Sequence, residues 1–150
     1  MGPVLKRILL ADDNANDVEL TLTALRKNHL ANEVVVVRDG AQALDYLYRR
    51  GEHAHREPEL PALLLLDLKM PRVDGLEVLL LVKADSALRA LPIVILTSSC
   101  EEQDLVRSYD LGVNAYVVKP VEFGAFMDAV RTLGAFWAVL NEVPPGNGSA

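Results

Sequence analysis

Cysteine is almost absent from the chain, since Cys100 is the only one among 150 residues. A single thiol excludes an internal disulfide framework and a cysteine-based metal cluster. Histidine is also scarce, and His53 and His55 alternate in one polar segment without a nearby third ligand. We therefore interpret these two histidines as solvated loop residues and Cys100 as an ordinary small side chain.

Long apolar runs and an excess of positive charge are lacking as well. The apolar runs are too short to span a bilayer, and the first ten residues lack the apolar block and cleavage site of a signal peptide. The net charge of -6 argues against a general binder of nucleic acids or anionic membranes, because these surfaces repel it. The 51% apolar content can supply the core of one domain. We expect a cytoplasmic, single-domain protein that binds neither nucleic acid nor membrane.

Five short apolar runs are typical of strands that are buried on both faces. They cover residues 7–11, 33–37, 62–67, 92–97 and 115–120. Segments with helical spacing separate them, as in Val18, Leu22 and Leu25. Strands that alternate with helices imply right-handed crossovers. The pattern therefore predicts a doubly wound α/β sandwich with a parallel sheet.

Local signals predict several boundaries. The third helix should begin after Asp74, and the fifth should run from about Phe123 to Leu140. Residues 51–61 are polar and contain proline, which is typical of a surface loop. We expect the folded domain to occupy residues 1–143 and a disordered tail to occupy residues 144–150.

Polar side chains stand at the ends of the predicted strands. They offer three carboxylates, two hydroxyls and one ammonium, on Asp12, Asp13, Asp67, Thr97, Ser98 and Lys119. Sites in open α/β sheets form beyond the carboxyl ends of the strands, near the point where the strand order reverses. If the order is 2-1-3-4-5, the first and third strands are neighbours, and the three carboxylates converge.

This group of side chains indicates phosphoryl transfer to a carboxylate. A carboxylate-rich oxygen site suits Mg²⁺, which often accepts a phosphate oxygen as a further ligand. Lys119 can bring a positive charge to the same phosphate, and the Thr97 hydroxyl can donate a hydrogen bond to it. Asp67 would then be the nucleophile, held at the sheet edge by the buried strand that precedes it. Positioning and charge neutralisation would supply most of the catalysis.

Four segments, "ILLADDN", "LLLLDLKMPRVDG", "ILTSS" and "AYVVKP", together resemble the receiver domain of two-component response regulators. The resemblance spans residues 5–140 and implies a (βα)5 flavodoxin-like sandwich with the strand order 2-1-3-4-5. It implies that Asp67 accepts a phosphoryl group from the phosphohistidine of a histidine kinase. The protein would then signal through a phosphorylation-dependent change of its interaction surface.

The same resemblance assigns the metal ligands. Asp12 and Asp13 are similar to the acidic pair that serves Mg²⁺, with Asp13 the more direct ligand and the Lys69 backbone carbonyl as another. Lys69 lies two residues past Asp67, where a side chain influences attacking water. We hypothesise that Lys69 slows hydrolysis of the acyl phosphate; the alternative is a solvated lysine.

The resemblance also assigns a conformational switch. Thr97 is similar to the hydroxyl that moves toward the phosphate, and Lys119 is similar to the phosphate-binding lysine. Tyr116 matches the aromatic residue whose rotamer reports activation, although it is alternatively a strand residue with its hydroxyl in water. A cis peptide bond is expected before Pro120, since an X-Pro bond tolerates this form.

The predicted fifth helix carries more apolar surface than one buried stripe needs. Beside its core-facing row lie three further apolar residues, Ala129, Phe136 and Val139. Because an exposed apolar patch often marks an interface, we predict a homodimer through this helix, with strand five and helix four at its edge. The alternative is a broad core stripe with Phe136 folded under the tail.

Signalling by protein contact is expected, because the receiver resemblance covers nearly the whole chain. The loop before strand three and the ending "FWAVLNEVPP" are similar to single-domain regulators of phytochrome-type and other histidine kinases. A photoreceptor kinase is therefore one expected partner. Two alternatives stay open: an unphosphorylated pseudo-receiver that acts as an interaction module, and a phosphatase with an aspartyl-phosphate intermediate. The second would require a D-x-D pair after the first strand.

Overall fold

The structure is a computed structural model that describes residues 7–27, 33–113 and 115–134. Its five strands are β1 (Arg7–Ala11), β2 (Glu33–Val37), β3 (Leu63–Asp67), β4 (Ile93–Thr97) and β5 (Tyr116–Val118). Every residue of β3 and β4 is buried, whereas β2 is only partly covered. The prediction that the apolar runs are covered on both faces is therefore confirmed for β3 and β4 but not for the edge strands β2 and β5, where Val118 is 51% exposed.

Five α-helices alternate with these strands. They are α1 (Ala15–Lys27), α2 (Gly40–Tyr48), α3 (Gly75–Ala84), α4 (Cys100–Ser108) and α5 (Phe123–Leu133). Side-chain oxygens of Asp39, Asp74 and Ser99 accept backbone N–H groups at the first turns of α2, α3 and α4. These caps satisfy N–H groups that have no partner inside the helix. The predicted start of α3 after Asp74 is confirmed.

All the strands are parallel, and their order is β2-β1-β3-β4-β5. The predicted flavodoxin-like fold and its strand order are confirmed. Alternate residues of β1 enter two cores: Ile8 packs with residues of α1 and α5, while Leu9 packs with residues of α2, α3 and α4. The sheet is therefore the middle layer of a three-layer sandwich.

Helix α5 differs from its prediction at its end and on one face. It ends at Leu133, because Gly134 adopts a left-handed conformation (φ 66°) and donates its N–H to the Arg131 carbonyl. The prediction for Ala129 is wrong: its side chain is 4% exposed and packs in the core, so it offers no interface surface. Phe136 and Val139, the other predicted interface residues, lie outside the described residues.

The loop between α2 and β3 is organised around one arginine. After a short 3-10 turn at Gly51–His53, the Arg56 guanidinium donates to the Tyr46 carbonyl at 2.6 Å and to the Glu59 carbonyl at 2.8 Å. It also lies 4.3 Å from the centroid of the Tyr46 ring. These contacts attach the polar loop to α2.

No helix in the described ranges could cross a membrane. Helix α1, with 13 residues, is the longest of them. A membrane span takes about 20 mostly apolar residues.

Candidate functional site

Three carboxylates meet at the carboxyl end of the sheet. Strands β1 and β3 are neighbours, and Ala11 pairs with Leu66, so Asp12 and Asp67 both follow this pair of residues. One oxygen from each of Asp12, Asp13 and Asp67 lies within 4.8 Å of the others. The structure thus brings together the acidic residues that the strand ends and the family resemblance indicate.

Burial differs among these carboxylates. Asp12 is 0% exposed and Asp67 is 4% exposed, whereas Asp13 is exposed. Backbone groups orient the buried pair: Asp12 Oδ1 accepts the Asn14 N–H at 3.0 Å, and Asp67 Oδ1 accepts the Lys69 N–H at 3.3 Å. The Asp12 and Asp67 carboxylates are therefore buried and held in place, whereas Asp13 lies on the side of the cluster that faces solvent.

Lys119 brings a positive charge to the same place. It follows β5, and its backbone N–H donates to the Thr97 carbonyl at 2.8 Å. Its Nζ lies 3.0 Å from Asp67 Oδ2, 3.1 Å from Asp12 Oδ2 and 3.0 Å from Asp17 Oδ2. The side chain is 12% exposed, so this ammonium is largely enclosed by carboxylates. The peptide bond between Lys119 and Pro120 is cis.

Burial and ion pairing set the protonation of this pair. Burial raises the pKa of Asp67 to about 6, although the hydrogen bond from Lys119 opposes the rise. Burial would lower the pKa of Lys119, but hydrogen bonds to Asp17 and Asp67 raise it above its ordinary value. Lys119 therefore stays charged at neutral pH, whereas Asp67 gains a proton in mildly acidic solution.

The acidic cluster fits a hard divalent cation. Asp12 Oδ2 is buried and, within the described ranges, accepts no hydrogen bond, although the Lys119 ammonium lies nearby. Such an oxygen keeps electron pairs available for a metal. All the side-chain ligands offered by Asp12, Asp13 and Asp67 are carboxylate oxygens, which Mg²⁺ and similar ions prefer.

A side chain of α4 forms a hydrogen bond with the Thr97 hydroxyl at the end of β4. Thr97 is fully buried, and its Oγ1 accepts a hydrogen bond from Gln103 Nε2 at 3.4 Å. Leu96, the residue before Thr97, pairs with Asp67. Thr97 therefore lies one residue further along β4 than the residue beside that carboxylate. Thr97 therefore lies on the rim of the acidic cluster with its own O–H available as a donor.

Tyr116 is partly buried in β5. Its hydroxyl donates to the Val113 carbonyl at 3.1 Å, and the Arg107 guanidinium lies 4.8 Å from the centroid of its ring. Burial raises the pKa of the Tyr116 hydroxyl. The Tyr116 hydroxyl is therefore hydrogen-bonded to the backbone, in contrast to the alternative prediction that it lies in water.

Two acidic residues of the site are missing from the sequence-based assignment. Asp17 contacts Lys119 from α1. Glu102 accepts the Ser98 N–H with Oε1 at 3.0 Å, while its Oε2 lies 3.4 Å from Lys69 Nζ. Glu102 thereby connects the loops after β3 and β4.

Each missed residue has a signal in the sequence. Asp17 follows Asn14 by three residues and lies in the first turn of α1, where acidic side chains are favoured. Glu102 is the last residue of "SCEE", which matches a capping box that begins at Ser99. Both signals describe helix starts rather than a reaction, and for that reason they do not identify a site by themselves.

A glycine sets the path of the loop after Asp67. The Gly75 N–H donates to the Leu68 carbonyl at 2.9 Å. A Cβ at Gly75 would lie 2.1 Å from the Asp67 carbonyl oxygen and 2.6 Å from Leu68 Cα. The start of α3 therefore packs directly on the backbone of the central carboxylate, and only glycine leaves room for this contact.

Comparison with known families and structures agrees with this geometry. The family model of the response regulator receiver domain matches residues 8–131. The structure of the bacteriophytochrome response regulator AtBRR is 64% identical, with a TM-score of 0.88, and the match covers 93% of this chain and 100% of that chain.

Other response regulators are also similar. The phosphorylated cyanobacterial phytochrome response regulator RcpA is 39% identical, with a TM-score of 0.73 over 95% of this chain and 99% of that chain. Response regulator Rcp1 from Synechocystis sp. is 36% identical over 88% of this chain and 88% of its own length. A structure of the Mn²⁺-bound form of response regulator Rcp1 has a TM-score of 0.72 at 34% identity over 93% of this chain and 99% of that chain.

Proposed function

Because the chain belongs to the response regulator receiver domain family, whose members are phosphorylatable signalling proteins, we propose that Asp67 accepts the phosphoryl group. The observation that carries this proposal is the position of the Asp67 carboxylate. It lies 3.0 Å from the Lys119 ammonium and within 4.8 Å of the acidic pair Asp12 and Asp13. A carboxylate in this environment is oriented for attack and surrounded by groups that can balance phosphoryl charge.

Phosphoryl transfer requires little beyond position and charge balance. An oxygen of Asp67 forms a bond to phosphorus as the N–P bond of the kinase phosphohistidine breaks, and the product is an acyl phosphate. Lys119 then pairs with a phosphoryl oxygen, and Thr97 donates its O–H to another. The chain catalyses only its own phosphorylation and dephosphorylation.

A divalent cation completes the proposed site. Asp12, Asp13 and Asp67 would hold Mg²⁺ through carboxylate oxygens, with the Lys69 backbone carbonyl as a further ligand. The oxygen-only ligand set supports this choice, and so does the Mn²⁺-bound form of the related Rcp1. When bound, the ion supplies positive charge that neutralises the phosphoryl oxygens.

The proposed output is a shift between conformations. In the described arrangement, Thr97 Oγ1 accepts from Gln103 and the Tyr116 hydroxyl donates to Val113. A phosphoryl group at Asp67 favours the conformation in which Thr97 contacts it, and Tyr116 and the surface of α4, β5 and α5 follow. The phosphorylated protein then presents a different surface to a downstream protein.

The proposed partner is a cytoplasmic histidine kinase of the phytochrome type. Two of the similar structures are named as phytochrome or bacteriophytochrome response regulators, which supports a photoreceptor kinase. Their similarity extends over nearly all of the matched chains. A cytoplasmic location follows from the proposed partner, because phosphohistidine must reach Asp67 directly.

We also propose a homodimer that uses α5 together with β5 and α4. Three large apolar side chains on the described part of this surface are about half exposed: Leu105 at 49%, Tyr109 at 47% and Val118 at 51%. Phe136 and Val139 belong to the same proposal, while the buried Ala129 does not. Apolar surface of this kind is often covered by a protein partner.

Intact mass spectrometry tests the proposed chemistry. The protein is incubated with Mg²⁺ and acetyl phosphate, and native protein is compared with Asp67→Asn and with Asp104→Asn, which changes an exposed carboxylate. Native protein and Asp104→Asn should gain one labile phosphoryl group, and Asp67→Asn should gain none. Turnover of a small phosphate ester would favour a phosphatase, and unmodified native protein would favour a pseudo-receiver.

A further inference from the structure

Asp17 is an additional acidic residue at the phosphoryl site. It is the third residue of α1, and its Oδ2 accepts a hydrogen bond from Lys119 Nζ at 3.0 Å. Its backbone N–H donates to Asn14 Oδ1 at 3.0 Å, which fixes the first turn of the helix independently of the Asp17 side chain. The carboxylate is therefore presented to Lys119 by a rigid element.

Asp17 differs in role from the other carboxylates around Lys119. Among the described residues, the cluster that could hold an ion consists of Asp12, Asp13 and Asp67. Asp17 is outside this group, and its side chain is 29% exposed. Its contact with the site is therefore through the ammonium rather than through a shared metal.

Three carboxylates surround the Lys119 ammonium. Its Nζ donates hydrogen bonds to Asp17 and Asp67 at 3.0 Å, and Asp12 Oδ2 lies 3.1 Å away. Phosphorylation converts the Asp67 carboxylate to an acyl phosphate, which removes the charge of the carboxyl group, and the phosphoryl oxygens take its place as partners of Lys119. The Asp17 carboxylate keeps its charge and its hydrogen bond, so it competes with the phosphoryl group for the same ammonium.

We propose that Asp17 is a positioning residue that holds Lys119 and limits how tightly this lysine binds the phosphoryl group on Asp67. This inference rests on the proposed phosphorylation of Asp67. Loss of the Asp17 charge should make the full charge of Lys119 available to the phosphoryl group. The substitution Asp17→Asn isolates that charge, because asparagine keeps the shape of the side chain and one acceptor oxygen.

Beryllofluoride, an analogue of the phosphoryl group, provides the binding test. Its dissociation constant is measured at saturating Mg²⁺ for native protein and Asp17→Asn, after each protein's Mg²⁺ affinity has been determined with the metal alone. Asp17→Asn should bind beryllofluoride about two- to fivefold more tightly, the range for a partly exposed ion pair. Glu19→Gln is the matched control, because it removes one negative charge from an exposed position on the same helix.

A second measurement reports the contact itself. Hydrogen exchange of the Lys119 ammonium protons is followed by NMR in protein labelled with ¹⁵N-lysine. Exchange should be faster in Asp17→Asn than in native protein and unchanged in Glu19→Gln. A purely structural role of Asp17 would lower thermal stability without tightening beryllofluoride binding.

The outcomes separate this inference from the function on which it rests. Equal or weaker binding by Asp17→Asn, an equal gain in Glu19→Gln, or unchanged ammonium exchange would overturn the role of Asp17. Native protein that binds no beryllofluoride would instead overturn the phosphorylation of Asp67.

Discussion

The acidity of Asp67 follows from two opposing effects on one side chain. Burial favours the neutral acid, whereas the Lys119 ammonium favours the carboxylate, and burial is the larger effect. The folded-state pKa is about 6, above the ordinary value of 3.8. Asp67 is consequently ionised at neutral pH, but close enough to its pKa for mild acid to change the site.

Mg²⁺ affinity should therefore depend on pH. A metal ligand must be deprotonated, so binding should weaken as pH falls through about 6, by about tenfold per pH unit below that value. Calorimetric titration with Mg²⁺ from about pH 5 to pH 8 measures this dependence, with circular dichroism to verify the fold. Constant affinity across the range would show that Asp67 is not a ligand with this pKa.

Lys69 provides a second test at the residue scale. Its ammonium lies 3.4 Å from Glu102 Oε2, but its side chain is 77% exposed. If it crowds or diverts water, Lys69→Asn should release phosphate about twofold faster or more, a difference within the range for an exposed charge. Autodephosphorylation rates are compared with native protein and with Lys27→Asn, which changes an exposed lysine on α1. Equal rates in all the proteins would leave Lys69 as a solvated lysine.

At the element scale, the turn from β3 to α3 determines where the central carboxylate lies. Gly75 packs against the Asp67 carbonyl, and Asp74 caps the helix that follows. The sequence predicts the start of α3, because "DG" is a helix-start signal. It does not predict the contact with Asp67, because only the folded chain brings residues 67 and 75 within van der Waals distance.

Gly75→Ala should therefore be unusually damaging. The added methyl must displace backbone, and the free energy of unfolding should fall by about 1 to 3 kcal/mol, as for an overpacked core. Gly124→Ala is the control: a Cβ at this position, the second residue of α5, meets no atom within 4 Å, so this variant should be at least as stable as native protein. Urea denaturation measures both changes. Similar stabilities of Gly75→Ala and native protein would contradict the tight contact.

Helix α5 shows where an apolar pattern gives the wrong boundary. The periodicity continues past Leu133, but the left-handed Gly134 ends the helix. Periodicity reports which side chains are apolar, whereas helix termination depends on one backbone conformation. Ala129 also shows that the core covers a wider part of α5 than one stripe.

At the scale of the molecule, the order of the strands determines the site. Apolar runs and alternation predict a parallel sandwich, and the order β2-β1-β3-β4-β5 brings the ends of β1 and β3 together. Asp12, Asp13 and Asp67 could therefore be predicted to meet. Asp17 could not, because its contact with Lys119 forms only when the folded chain brings the first turn of α1 and the residue after β5 together.

The proposed homodimer is also a property of the whole molecule. Sedimentation velocity compares native protein with Phe136→Asp and Val118→Asp, while Ser86→Asp adds the same charge at an exposed position after α3. Native protein and Ser86→Asp should sediment as dimers, and the other two variants should sediment as monomers, because a buried unpaired charge opposes association. Native protein that is monomeric at all concentrations would contradict this interface.

The site of phosphorylation tests the central claim most directly. Native protein is phosphorylated with acetyl phosphate and Mg²⁺ and then reduced with borohydride, which converts an aspartyl phosphate to homoserine, and its peptides are mapped by mass spectrometry. The predicted result is homoserine at position 67 alone, with none when Mg²⁺ is removed. Homoserine at position 12 or 13, or at no position, would contradict the assignment of Asp67 as the phosphoryl acceptor.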